Sequence, residues 1–299
     1  MKNLSESIEY TKEKKYHQIT KLESHYSGSL KDLNLFLNGE KPITRVGSSF
    51  EYLSYWYLWQ FNYQFTSKYQ VDFSLLSQST TFAIESNNVD FFLGKKIPAV
   101  DFAIPFTDAI KHCGQAIILG WDDEGKAYLN LLLKMLYGKQ YKGWHEYTLH
   151  PWFMLELLCK WQGIELERDR LKMPKSLDVY QVALDHWDTT DESVLHDAIK
   201  QMAEYHIAES DEYVTTDEYG GEDSAQFDNA DYFVFAVEIV LWLAIRQRLG
   251  LKDYQPDNEL MKLAINQLPV ESVPIPKIEI IEQCKAKIQA ENPTIAFEM

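Results

Sequence analysis

Two histidines, His145 and His150, bracket the text HEYTLH and are the first residues whose chemistry suggests a metal. A zinc-protease helix carries its ligands at i and i+4, on one face. Residues five apart diverge by about 140° around a helix axis, so this spacing does not converge on an ion. Pro151 follows directly, so the segment reads as a loop entering a helix, with surface and capping histidines. The run DEYGGED at 217–223 offers dense carboxylate and two glycines, which suits calcium. An EF-hand loop starting at Asp217 needs acids at its third and fifth positions and glycine at its sixth. Tyr219, Gly221 and Glu222 stand there instead, so no metal is expected. Paired carboxylates can act as acid and base, but among 45 acids some pair always lies close, and the pattern selects nothing. The chain has no GxSxG, no P-loop and no dinucleotide fingerprint. Cys113 and Cys159 lie in apolar helical stripes and read as inert buried thiols. The expectation is a protein with no catalytic residue, no metal and no cofactor.

Charge is the property that is unevenly spent. The net charge is −16, from 45 acids and 29 bases. Between Asp178 and Glu238 there are 17 acids and one base, Lys200, while the rest of the chain balances at 28 of each. From Glu204 to Asp231 there are ten acids and no Lys or Arg. Phosphate binding needs Lys and Arg, so nucleic acid is excluded as a direct ligand. A stretch of this sign is either a solvated loop whose repulsion is not relieved locally, or a docking surface for a cationic partner. The acids expected to meet that partner are Glu209, Asp211, Glu212, Asp217, Glu218, Glu222, Asp223 and Asp228. Tyr219 and Phe227 are expected as aromatic anchors.

The elements that must carry this segment read as helices. Leu4, Ile8, Tyr16, Ile19 and Leu22 give a helical stripe over 3–26, followed by a turn at HYSGSL and a polar loop to Gly47. The aromatic run from Ser49 to Lys68 is long enough for a helix buried on most sides. Helices follow at 72–87, 103–120 and 122–138, and another through HPWFMLELLCKWQG, with Asp72 as a cap and Gly120, Gly138 and Gly163 as stops. The charged stretch 165–176 with Pro174 is the best boundary, which predicts regions 1–170 and 171–299 that could still pack as one domain. Helices at 176–187 and 190–210, a loop at 213–229, a very apolar helix from Asp231 to Gly250, ELMKLAINQL and a last helix near 278–290 complete the chain. The fold expected is all-α, an antiparallel bundle of roughly nine to eleven helices with short turns. Glu238, set among Val, Ile and Phe, must be paired or protonated; Arg246, Arg248 or a distant tyrosine is the expected partner.

The segment DNADYFVFAVEIVLWLAIRQRLGLKDYQPDNEL, 228–260, resembles the C-terminal signature of PoNi-type immunity proteins. There an aromatic pair opens a helix, a Glu follows, and a short turn leads to a tyrosine-proline and a leucine. The matching residues are Tyr232, Phe233, Glu238, the Leu249–Leu251 turn, Tyr254, Pro256 and Leu260. The chain departs where the family often has a tryptophan before the Glu, here Phe235 or Ala236, and where paired tyrosines precede the proline, here Asp253, Tyr254 and Gln255. The resemblance implies structural roles for Tyr232, Glu238, Tyr254 and Pro256. It also implies a cytoplasmic antidote to a toxin delivered between bacteria, often a DNase. A DNase presents a basic groove, which an acidic protein can occupy in competition with DNA. No segment offers an apolar run for secretion or membrane spanning, and three scattered cysteines fit a reducing compartment. The rivals are a helical scaffold for another basic protein and a carboxylate- or metal-dependent hydrolase.

Overall fold

The N-terminal helix buries polar residues along the same face as its apolar stripe. Along α1 (Leu4–Lys21) the buried residues are Ser7, Thr11 and Lys15, spaced four apart, while Tyr16 is exposed. This polar face finds partners across the fold, described below. The computed structural model describes residues 3–97, 104–141, 148–212, 215–216, 222–223 and 225–299, with only the backbone at 215–216 and 222–223. Position 103 of the helix expected at 103–120, and His145, lie outside this set.

The protein is all-α. Twelve α-helices are described: α1, α2 (Glu23–Leu37), α3 (Val46–Lys68), α4 (Phe73–Gly94), α5 (Phe106–Ile118), α6 (Asp122–Tyr137), α7 (Leu149–Gln162), α8 (Val179–Asp185), α9 (Glu192–Ala208), α10 (Val237–Arg248), α11 (Glu259–Lys262) and α12 (Glu279–Glu291). A two-residue antiparallel ladder, β1 (Thr215–Thr216) with β2 (Glu222–Asp223), closes the acidic segment into a hairpin. The chain groups into two compact units that do not follow the expected division near residue 170. Unit one is Met1–Tyr16, Phe61–Asp72 and His145–Val270; unit two is His17–Gln60, Phe73–Trp144 and Glu271–Met299. Sequence punctuation marks where a chain turns, but it does not reveal which distant segments share a core.

In unit two, α2, the first half of α3, α4 and α12 enclose a core that includes Leu33, Phe36, Phe50, Phe82, Phe92 and Ile288. The expected HYSGSL turn is helix instead. Tyr26, Leu30, Leu33 and Leu37 recur at helical spacing and pack on this core, and their burial outweighs the weak helix propensity of Ser and Gly. Gly163 stops α7 in the left-handed conformation at φ +65°, as expected. Gly138 does not serve that way: its φ is −75°, and Lys139 takes the positive φ of 56°. Asp191 caps α9, its carboxylate accepting from the amides of Ser193 (2.9 Å) and Val194 (3.4 Å).

In unit one, α7 packs on α8 and α10, and α9 on α8, α10 and α11. The apolar segment expected to be helical from Asp231 enters α10 only at Val237. Residues 231–236 are buried but not helical, because other side chains satisfy their backbone. Asn266 accepts from the Ala236 amide (2.9 Å) and donates to the Val234 carbonyl (3.0 Å) and the Leu260 carbonyl (2.9 Å). His206 donates from Nε2 to the Tyr232 carbonyl at 2.8 Å. Buried backbone groups need partners, and here side chains supply them in place of helix.

Candidate functional site

The ends of the acidic segment are held together before the acids themselves are considered. After α9 the chain makes a parallel bridge between Ser210 and Phe227. Phe227 donates from its amide to the Glu209 carbonyl and accepts from the Asp211 amide, both at 3.0 Å. The Phe227 ring is 1% exposed and lies against two histidines, 4.3 Å from the His150 ring and 4.0 Å from the His206 ring. This corrects two expectations. Phe227 is a core residue that pins the segment rather than an exposed anchor, because stacking between two rings buries its whole surface. His150 is buried at 1% in the first turn of α7 and is neither a surface nor a capping group. Gln226 adds a further tie, accepting from the Leu149 amide at 2.7 Å.

The repulsion within the segment is relieved, but by the opposite end of the chain. Glu212 accepts from Lys14 Nζ and from the Tyr10 hydroxyl, both at 2.6 Å, and its second oxygen accepts from the Ala230 amide at 3.2 Å. Burial pushes this carboxyl up, but the bonds from Lys14, Tyr10 and Ala230 outweigh it and hold Glu212 below the usual range. At the next residue, Lys15 forms a fully buried ion pair with Asp231, at 0% and 3% side-chain exposure. Asn62 Nδ2 donates to the Asp231 carbonyl at 3.0 Å. Burial pulls the Lys15 ammonium below the usual lysine range, against the fields of Asp231 and Glu212. The buried face of α1 is therefore an electrostatic latch that positions both ends of the acidic segment. No local pattern around 204–231 points to these lysines. Their signal in sequence is the Ser7–Thr11–Lys15 spacing.

The remaining acids divide by position. Asp228 and Glu204 are exposed and Glu209 is half-buried at the end of α9. Asp211 is half-buried beside Glu212. Glu222 and Asp223 sit on the ladder strand β2, opposite Thr216 and Thr215. Asp217, Glu218 and Tyr219 lie outside the described residues. Glu212 belongs to the latch, so its carboxylate is already engaged.

Glu238 is paired, though not with Arg246, Arg248 or a tyrosine. Its Oε1 meets His206 Nδ1 at 2.8 Å, and both side chains are fully buried. Because His206 Nε2 faces a carbonyl, it must carry a hydrogen, so the Nδ1–Glu238 contact shares a single further proton. Arg246 instead donates to the Thr189 carbonyl at 2.8 Å. His206 thus braces Glu238, the Tyr232 backbone and the Phe227 ring at once, a role its place in the sequence does not announce.

Of the other residues expected to be structural, Tyr232 is 2% exposed, Tyr254 9%, and Pro256 half-buried. The Tyr254 hydroxyl donates to Asp257 at 2.5 Å, and Asp257 also meets His196 Nδ1 at 2.9 Å. Among the described residues no group of three or more His, Cys, Asp or Glu could hold a metal. No helix among them is long and apolar enough to cross a membrane. Compared with protein-family models, curated proteins and solved structures, the chain matches none.

Proposed function

We propose that this chain is an immunity protein that binds and neutralises a basic toxin domain, a nuclease, in the cytoplasm, using the acidic segment 204–231 as its docking surface. The observation that carries the reading is the charge of that segment: ten carboxylates, no Lys or Arg. The latch strengthens the case. Lys14 and Lys15 engage Glu212 and Asp231 at the two ends, so the ladder with Glu222 and Asp223 is carried between fixed anchor points. Fixing the two ends of the segment leaves less freedom for a partner to remove on docking, which lowers the cost of association. Electrostatic complementarity of this kind speeds encounter and excludes partners of the wrong sign. A nuclease supplies the matching surface because it must hold phosphate with basic residues.

The test is co-expression with the toxic domain encoded beside this gene, scored by survival and by isolation of the complex. The expected result is rescue, with a complex that weakens as salt rises. Replacing Asp217, Glu218, Glu222 and Asp223 together with Lys should abolish rescue while leaving the helical circular dichroism unchanged. Survival of protection after that replacement would place the binding surface elsewhere.

A further inference from the structure

Arg246 is a buried charged side chain of α10 that the docking surface leaves without use. It is 4% exposed, and its Nη1 donates to the Thr189 carbonyl. Its Nε is buried with no hydrogen-bond partner, and no carboxylate forms an ion pair with it among the described residues. Burial pulls its guanidinium below the usual arginine range, and Asp188 acts on it only through space. The Trp242 ring, 6.0 Å from the guanidinium carbon, is a weak counterpart for a buried cation, and an Nε–Nη2 edge without a carboxylate has the fork geometry that takes one bidentately.

Arg246 lines two adjoining cavities of unit one, of about 290 and 110 Å³, which also share Lys252, Asp253, Tyr254 and Gln255. Several other polar groups there are already committed. Lys252 pairs with Glu192 at 2.5 Å, the Tyr254 hydroxyl donates to Asp257, and the Asn266 amide is spent on three backbone groups. Asp253 is exposed to solvent. The cavity therefore offers one buried positive charge, with Leu243, Met261 and Leu268 as apolar wall.

We infer that this cavity is a binding site for a small monocarboxylate, held by the Nε–Nη2 edge of Arg246. One buried cation without a carboxylate partner suits a monoanion and does not suit a phosphate dianion, which would meet Asp253 and Glu192 while Lys252 is already paired. The site is separate from the acidic segment and does not depend on the toxin-binding reading.

The experiment follows the Arg246 Nε–H resonance by NMR in the full chain during titration with sodium acetate, inorganic phosphate and sodium chloride at matched ionic strength. The expected result is a saturable shift with acetate, a weaker one with phosphate and none with chloride. Arg246→Gln should remove the acetate response, read by a thermal-shift assay. Gln247→Trp, at an exposed position on the cavity wall, should weaken acetate binding by at least about tenfold while leaving Arg246 in place. This second variant decides the matter if Arg246→Gln fails to fold. Phosphate binding as tight as acetate, equal responses to all three salts, no response at all, or full acetate binding in Gln247→Trp would each overturn the inference.

Discussion

Lys15→Met tests the latch most directly. Methionine keeps the length and most of the volume of the lysine stem, so packing along α1 is nearly conserved. What it removes is the cation that pairs with the Asp231 carboxylate, which is 3% exposed. Taking one partner from a buried pair costs about 3–5 kcal/mol, because the remaining charge is left in a poor solvent. That is a large part of the roughly 5–15 kcal/mol that holds a folded domain together. Asp231→Asn should cost less, because Lys15 can release its proton. The sign follows from its lowered value: between the folded value and the ordinary 10.5, the unfolded chain binds more protons than the folded one, so stability rises with pH in that window. Removal of Asp231 should move the lower edge of that window further down. The double variant Lys15→Met/Asp231→Asn should lose about 2–3 kcal/mol less than the two singles summed. Urea denaturation, reading the midpoint at unchanged slope, gives these values, and hydrogen exchange on α1 amides reports whether the helix detaches. A Lys15→Met loss below about 1 kcal/mol, or strict additivity in the double variant, would refute the latch.

Other consequences are open to measurement. His206→Leu orphans both the Glu238 carboxylate and the Tyr232 carbonyl and should cost about 3–5 kcal/mol by denaturation, whereas Glu238→Gln, which can still bond Nδ1, should cost about 1 kcal/mol. In unit two, burial lifts Glu51 to about 7, with Asp90 and Asp108 adding to the shift and a bond from Tyr55 opposing it. A carboxyl raised in this way binds its proton more tightly folded than unfolded, so stability falls as pH rises from 4.5 to about 7. Glu51→Gln should flatten that slope and stabilise the protein near pH 7 by at most about 3 kcal/mol, read from midpoints across a pH series. A Cβ on Gly47 would lie 2.0 Å from Asp90 Oδ1, so Gly47→Ala should cost about 1–3 kcal/mol by displacing a buried carboxylate. An unchanged midpoint for that variant would show that Asp90 moves freely.

The helical class was legible in the sequence because it depends on local periodicity and on stop signals such as Gly163. The aromatic run 49–68, the α7 stripe and the last helix follow patterns that are read within a few residues. The acidic segment was legible too, because net charge over a window needs no fold. The reading failed where distant residues satisfy a local need. The segment 231–236 is not helical because Asn266 and His206 take over its backbone bonds. Glu238 is paired by a histidine 32 positions away, and Phe227 is buried by two histidines from other helices. The acids at 212 and 231 are neutralised by Lys14 and Lys15, about 200 residues earlier; Lys15 shares a face of α1 with Leu4, Ile8 and Ile19, and nothing in that stripe names the acid it meets. Composition and spacing determine which segments can be helices and where the charge lies. Which buried charges meet is decided by tertiary structure alone, because a desolvated ion selects its partner by proximity in space and not by separation along the chain.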